Sequence, residues 1–127
     1  MPTGPELNEH LYRNMRLSMQ GIASEIGTVT AAAGAATLSD LMGVVTTEAL
    51  TTAQNAIYTL TLTNTKIAAA DIVQVTVGHG TNTAGSPMLG TVTPAAGSCV
   101  ITVHNKHATA VAFDGSLTIM FTVIKAL

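Results

Sequence analysis

The chain has 127 residues, enough for one domain with its own core, yet only 9% of them are charged against 47% hydrophobic. A formal net charge of -2 excludes a broad basic surface, and with it a nucleic-acid or anionic-membrane footprint. The single cysteine, Cys99, excludes an internal disulfide, and no apolar run is long enough for a membrane-spanning helix. With 21 Thr and 19 Ala, the surface must be built largely from small, uncharged side chains. So few charges leave strand edges little protection from pairing, which predicts an assembly that covers part of the surface.

Residues 1–26 differ from the rest and carry five of the twelve charges: Glu6, Glu9, Arg13, Arg16 and Glu25. They lack the basic start and apolar run of a signal peptide, so the chain is expected to stay in the cell or in a particle assembled there. Pro5 suits a first helical position. Leu7, Leu11, Met15, Met19 and Ile22 recur at steps of three or four, one apolar stripe of a helix over about 5–20. Glu6 and Glu9 precede Arg13 and Arg16, an order that complements the helix dipole. The stripe needs an acceptor. It either packs on the chain's own sandwich or acts as an arm that docks on a partner.

Residues 27–43 read as an extended Ala/Gly-rich linker, with short strands near Thr28–Thr30 and Thr37–Ser39. From residue 44 a period of two takes over. Val44–Leu50 is a strand; Thr51–Asn55 turns into Ala56–Asn64. There Tyr58, Leu60 and Leu62 face one way and Thr59, Thr61 and Thr63 the other. Asn64-Thr65-Lys66 turns out of it. Ile72–Gly78 follows, with Val73, Val75 and Val77 on one face. Gly78–Pro87 is a loop, Met88–Thr93 a strand closed by Pro94, and Ser98–His104 a strand with Cys99, Ile101 and Val103 inward. Asn105–Ala112 is a loop. Gly115–Ile124 ends the series with Leu117, Ile119, Phe121 and Val123 inward. Met120 and Ile124 on its other face mark it as central or interfacial. Short strands spaced by turns, with no helix between them, predict an all-β sandwich over 44–127 with jelly-roll or Greek-key-like connections.

The chemistry-bearing residues form no constellation. Gly78-His79-Gly80 lacks the third glycine and the following helix of a dinucleotide loop. His104 and His107 have no carboxylate or cysteine beside them, so they read as loop histidines; a histidine near a trimer axis would gather three copies. Asp71 and Asp114 sit at strand starts and turns. Cys99 reads as a small buried hydrophobe. No catalytic, cofactor or metal residues are assigned, and the chain is expected not to be an enzyme. Tyr12, Tyr58, Phe113 and Phe121 are too few exposed aromatics for a sugar-stacking platform.

Five segments carry a family likeness: Ile57–Asn64, Gly80–Gly85, Val92–Ser98, Ile101–Asn105 and Phe113–Ile119. Together they resemble the small β-sandwich virion proteins of tailed bacteriophages: capsid decoration (cement) proteins and fibre-type domains. The likeness spans roughly residues 44–127 and is one of texture. It implies a homotrimer on the capsid lattice, in virions assembled in the host cytoplasm, with the N-terminal part contacting the major capsid protein. Partner binding then falls to the arm: Leu7, Leu11, Met15, Met19 and Ile22. The alternative is a head- or tail-fibre or spike component that recognises a host surface through the loops Gly78–Pro87 and Asn105–Asp114.

Overall fold

The computed structural model describes residues 26–127, and the helix expected over 5–20 lies outside them. Eight strands follow: β1 (Gly27–Thr30), β2 (Ala35–Thr37), β3 (Met42–Thr46), β4 (Ile57–Thr63), β5 (Ile72–Gly78), β6 (Pro87–Ala95), β7 (Ser98–Asn105) and β8 (Thr118–Ile124). They form two four-stranded mixed sheets packed as a sandwich. Sheet A has the order β1-β3-β8-β5, and sheet B the order β2-β4-β7-β6. The two edge pairs β1–β3 and β2–β4 run parallel; all other pairs are antiparallel. Six of the seven connections cross from one sheet to the other, and only β6 to β7 stays within a sheet.

The alternation read from the sequence is the alternation of burial. Tyr58, Leu60 and Leu62 of β4 face Cys99, Ile101 and Val103 of β7 in register, all buried. From sheet A come Val45, Val73, Ile119, Phe121 and Val123, with Leu117 buried just before β8. Burying side chains of this size contributes about 1.5–3 kcal/mol each, the main favourable term. β8, partly apolar on both faces, is central in its sheet.

The stretch 27–43 does not behave as a linker. It supplies β1, β2 and the start of β3, and so belongs to the sandwich. Large side chains are scarce there because the core partners are large. Gly43 lies against Phe121, where a Cβ would come within 2.8 Å of the ring. Leu38 packs over Gly27 and Gly43, and Ala31 and Ala36 are buried at the closing side. Ala32 and Ala35 exchange backbone hydrogen bonds around Ala33 (φ 50°) and Gly34 (φ 76°), a tight turn with both central residues left-handed. That turn carries the chain from sheet A to sheet B.

Three boundaries also shift. β3 starts two residues before Val44 and ends at Thr46, because Thr47 turns its buried hydroxyl to accept the Leu117 N–H at 2.9 Å. β6 continues through Pro94, which is tolerated because β6 is an edge strand. β8 begins at Thr118 rather than Gly115.

Candidate interaction surfaces

Seven charged residues lie between 26 and 127: Asp40, Glu48, Lys66, Asp71, Lys106, Asp114 and Lys125. None is in a strand. Asp40, Lys66, Asp71 and Lys125 mark the end where the chain enters β1; Glu48, Lys106 and Asp114 mark the opposite end. Both outer sheet faces are therefore free of fixed charge. On sheet A the outward rows read Val44-Met120-Thr76, Met42-Thr122-Gln74 and Ile124-Ile72. Ile72 is 62% exposed, Met120 51% and Ile124 43%. On sheet B they read Ala35-Thr61-Val100-Thr93 and Ile57-His104-Met88. Sheet A is thus the more apolar face near the entry end, and sheet B is a threonine surface with an apolar row at the opposite end.

The end away from the entry is tied together by buried asparagines. Asn105 is fully buried and makes four side-chain hydrogen bonds. It donates to the Thr52 and Val111 carbonyls and accepts from the Ser86 and His107 N–H groups, at 2.8–3.2 Å. Asn82 donates to the Ala84 carbonyl at 2.7 Å and accepts from the Asp114 N–H at 2.8 Å. Asp114 in turn accepts from the Thr83 hydroxyl and N–H, both at 2.7 Å. These bonds hold its carboxyl below the ordinary value. The loops 78–87 and 105–114 are in this way fastened to each other and to the sandwich. A buried polar side chain satisfied on every atom is a strong specifier of loop geometry.

The histidines separate. His79 lies beside Asn82 in the loop after β5, His104 sits in β7 between Ile57 and Met88, and His107 caps a turn with Thr109. Among the described residues no group of three or more His, Cys, Asp or Glu converges.

A shallow cleft of about 430 Å³ lies between the Ala33–Gly34 turn, Glu48–Thr52 and the start of β4. Its polar centre is Glu48, which accepts from the Tyr58 hydroxyl and the Gly34 N–H, each at 2.6 Å. Burial pushes the Glu48 carboxyl up, but these hydrogen bonds outweigh it and hold the group below its ordinary value. Burial first, and then the bond to Glu48, push the Tyr58 phenol up. Both carboxylate oxygens are committed to the fold, so the pair fastens the β1–β2 turn to β4.

At the entry end Lys125 meets buried Asp71 at 2.5 Å and also donates to the Lys66 carbonyl at 2.8 Å. Lys125, with the N–H groups of Ala126 and Ala68, brings Asp71 down to about 2. Cys99 is buried in β7, where burial pushes its thiol up and so disfavours the thiolate.

Leu7, Leu11, Met15, Met19 and Ile22, the residues expected to bind a partner, lie outside the described residues. Sequence reading missed Asn64, Asn82, Asn105 and Thr47 as buried polar anchors. Each borders a turn, so the available signal pointed to exposure. No family model, curated protein or solved structure matches this chain.

Proposed function

We propose that the protein is a structural virion protein, a decoration or cement protein that binds a tailed-phage capsid as a homo-oligomer and stabilises it. One observation carries the reading: all seven charges of residues 26–127 sit at the two ends of the sandwich, leaving two broad uncharged faces. A face without lysine or glutamate is cheap to desolvate against a neighbour and costly to leave as a lone protein's solubilising skin. The resemblance of residues 44–127 to phage virion sandwiches supplies the kind of neighbour: copies of itself, in a homotrimer, and the major capsid protein. We read the interleaved connections as the jelly-roll- or Greek-key-like arrangement that the strand and turn spacing predicts, with the two parallel edge pairs as a departure from it. Binding only the assembled shell stabilises it by mass action, and many copies multiply a modest interface.

The test is co-sedimentation of the purified protein with capsids of the parent phage, together with its mass by analytical ultracentrifugation. Binding that stiffens capsids against heat, and that Thr61→Lys with Thr93→Lys abolishes, is the expected result. Failure to bind capsids sinks the proposal.

A second reading has an observation of its own. The loops 78–87 and 105–114 are held rigid by Asn82 and Asn105, and a pre-organised loop cluster suits recognition of a host surface by a fibre or spike. Loop substitutions that abolish adsorption to host cells, with capsid stability unchanged, would favour it.

A further inference from the structure

We infer that the outer face of sheet A is the docking surface for this chain's own N-terminal stripe, Leu7 to Ile22. Read from sequence as a partner-binding arm, that stripe has a nearer acceptor. The face is unpartnered among residues 26–127, carries no charge, and exposes Ile72, Met120 and Ile124. On this sheet Ile72 and Ile124 lie at the end where the chain arrives, and Ile26 and Leu41 are exposed at the same end.

Where the described chain begins decides the occupant. Gly27 starts β1 on the edge of sheet A, paired with Gly43, which pairs with Phe121 of β8. Phe121 lies between Met120 and Thr122, so Met120 is two strand spacings from Gly27, about 10 Å. Ile22 is five residues before Gly27 and can reach about 17 Å from it. The stripe's last residue therefore reaches the apolar patch of the same copy without a long linker. The same-copy segment is a better-placed occupant than a second copy, because its covalent link supplies its effective concentration.

The inference stands apart from the virion reading. If it holds, the threonine face of sheet B is the surface left open to partners. Thiol-labelling rates on the full chain test it, with Met120→Cys reporting on sheet A and Thr61→Cys on sheet B; the native Cys99 is buried and serves as the unlabelled background. Met120→Cys should label at least about tenfold more slowly than Thr61→Cys, as a covered side chain does. Adding Leu11→Asp and Met15→Asp should remove that difference while Thr61→Cys labels as before, which also reports that the sandwich remains folded. Equal rates in the unmodified stripe overturn the inference. Slow labelling that the stripe substitutions leave unchanged overturns it too. Protection of Met120→Cys that vanishes on dilution assigns the face to another copy and overturns it as well. A cross-link between Met15→Cys and Met120→Cys at monomer mass supports the same-copy assignment; one at dimer mass opposes it. Capsid binding is not read in any arm, so its failure leaves this result untouched.

Discussion

The faces of the sandwich and its ends are built on opposite rules. The outward rows are mostly Thr, Val, Ile and Met, alternating with core residues along most strands, without one fixed charge. The ends hold all seven charges of the described residues, along with the buried asparagines Asn64, Asn82 and Asn105. A strand's backbone satisfies itself across the sheet, so its outward side chains are free to serve a neighbour. A loop's backbone must find partners side chain by side chain. Stability in the ends is therefore concentrated in a few polar groups, whereas on the faces it is indifferent to the outward residue. Specificity for a neighbour should show the reverse dependence.

The sharpest way to break that contrast is Asn105→Ala. It strands the Thr52 and Val111 carbonyls and the Ser86 and His107 N–H groups. The loss should be about 3 kcal/mol in urea unfolding, near the upper end for one substitution. Tyr58→Phe is a smaller probe of the same rule. Removing the hydroxyl that donates to Glu48 should cost about 1 kcal/mol, and the Glu48 carboxyl should titrate higher by NMR.

Asp71 gives a pH-dependent version. Its pKa is lowered from 3.8 to about 2 in the folded protein, first by Lys125 and then by the Ala126 and Ala68 N–H groups. A folded value below the unfolded one stabilises the native state above that window, and the contribution fades as the pH falls from 3.8 toward about 2. Asp71→Asn should flatten this part of the acid-unfolding curve followed by circular dichroism. Lys125→Met should do the same. The smallest effect belongs to the faces: Thr61→Lys should shift unfolding by less than about 0.5 kcal/mol. If Thr61→Lys proves as damaging as Asn105→Ala, the division between faces and ends is wrong.

The legible part of the fold was the part written with period two. β4, β5 and β7 fall where Ala56–Asn64, Ile72–Gly78 and Ser98–His104 predict them, and the inward sets of β4, β7 and β8 are the buried ones. Residues 27–43 misled because alanine and glycine carry little hydrophobic signal. They are small there because Leu38 and Phe121 fill the space above Gly27 and Gly43. Pro94 misled because sequence does not say which strand is an edge. The asparagines misled because the same residue that favours a turn can also be its buried lock. As for surfaces, the lack of charge was visible in the composition. Its confinement to the two ends needed the register, since only that puts Lys66, Asp71 and Lys125 together.

The interleaving of the sheets bears on how the chain finds its fold. Among the described strands, β6 and β7 are the only sequence neighbours that pair; β3 waits for β8, and β4 for β7. Val45 meets Ile119 across most of the domain's length. Neither sheet can be completed before the other is begun, so no half of the sandwich is an independent folding unit. Such non-local pairing belongs to the slow class, with refolding in milliseconds to seconds. The β6–β7 hairpin, closed at Gly97, is the natural place for the process to start. Stopped-flow refolding should find Val100→Ala, within that hairpin, slowing the folding limb more than Val44→Ala, whose partner strand arrives last.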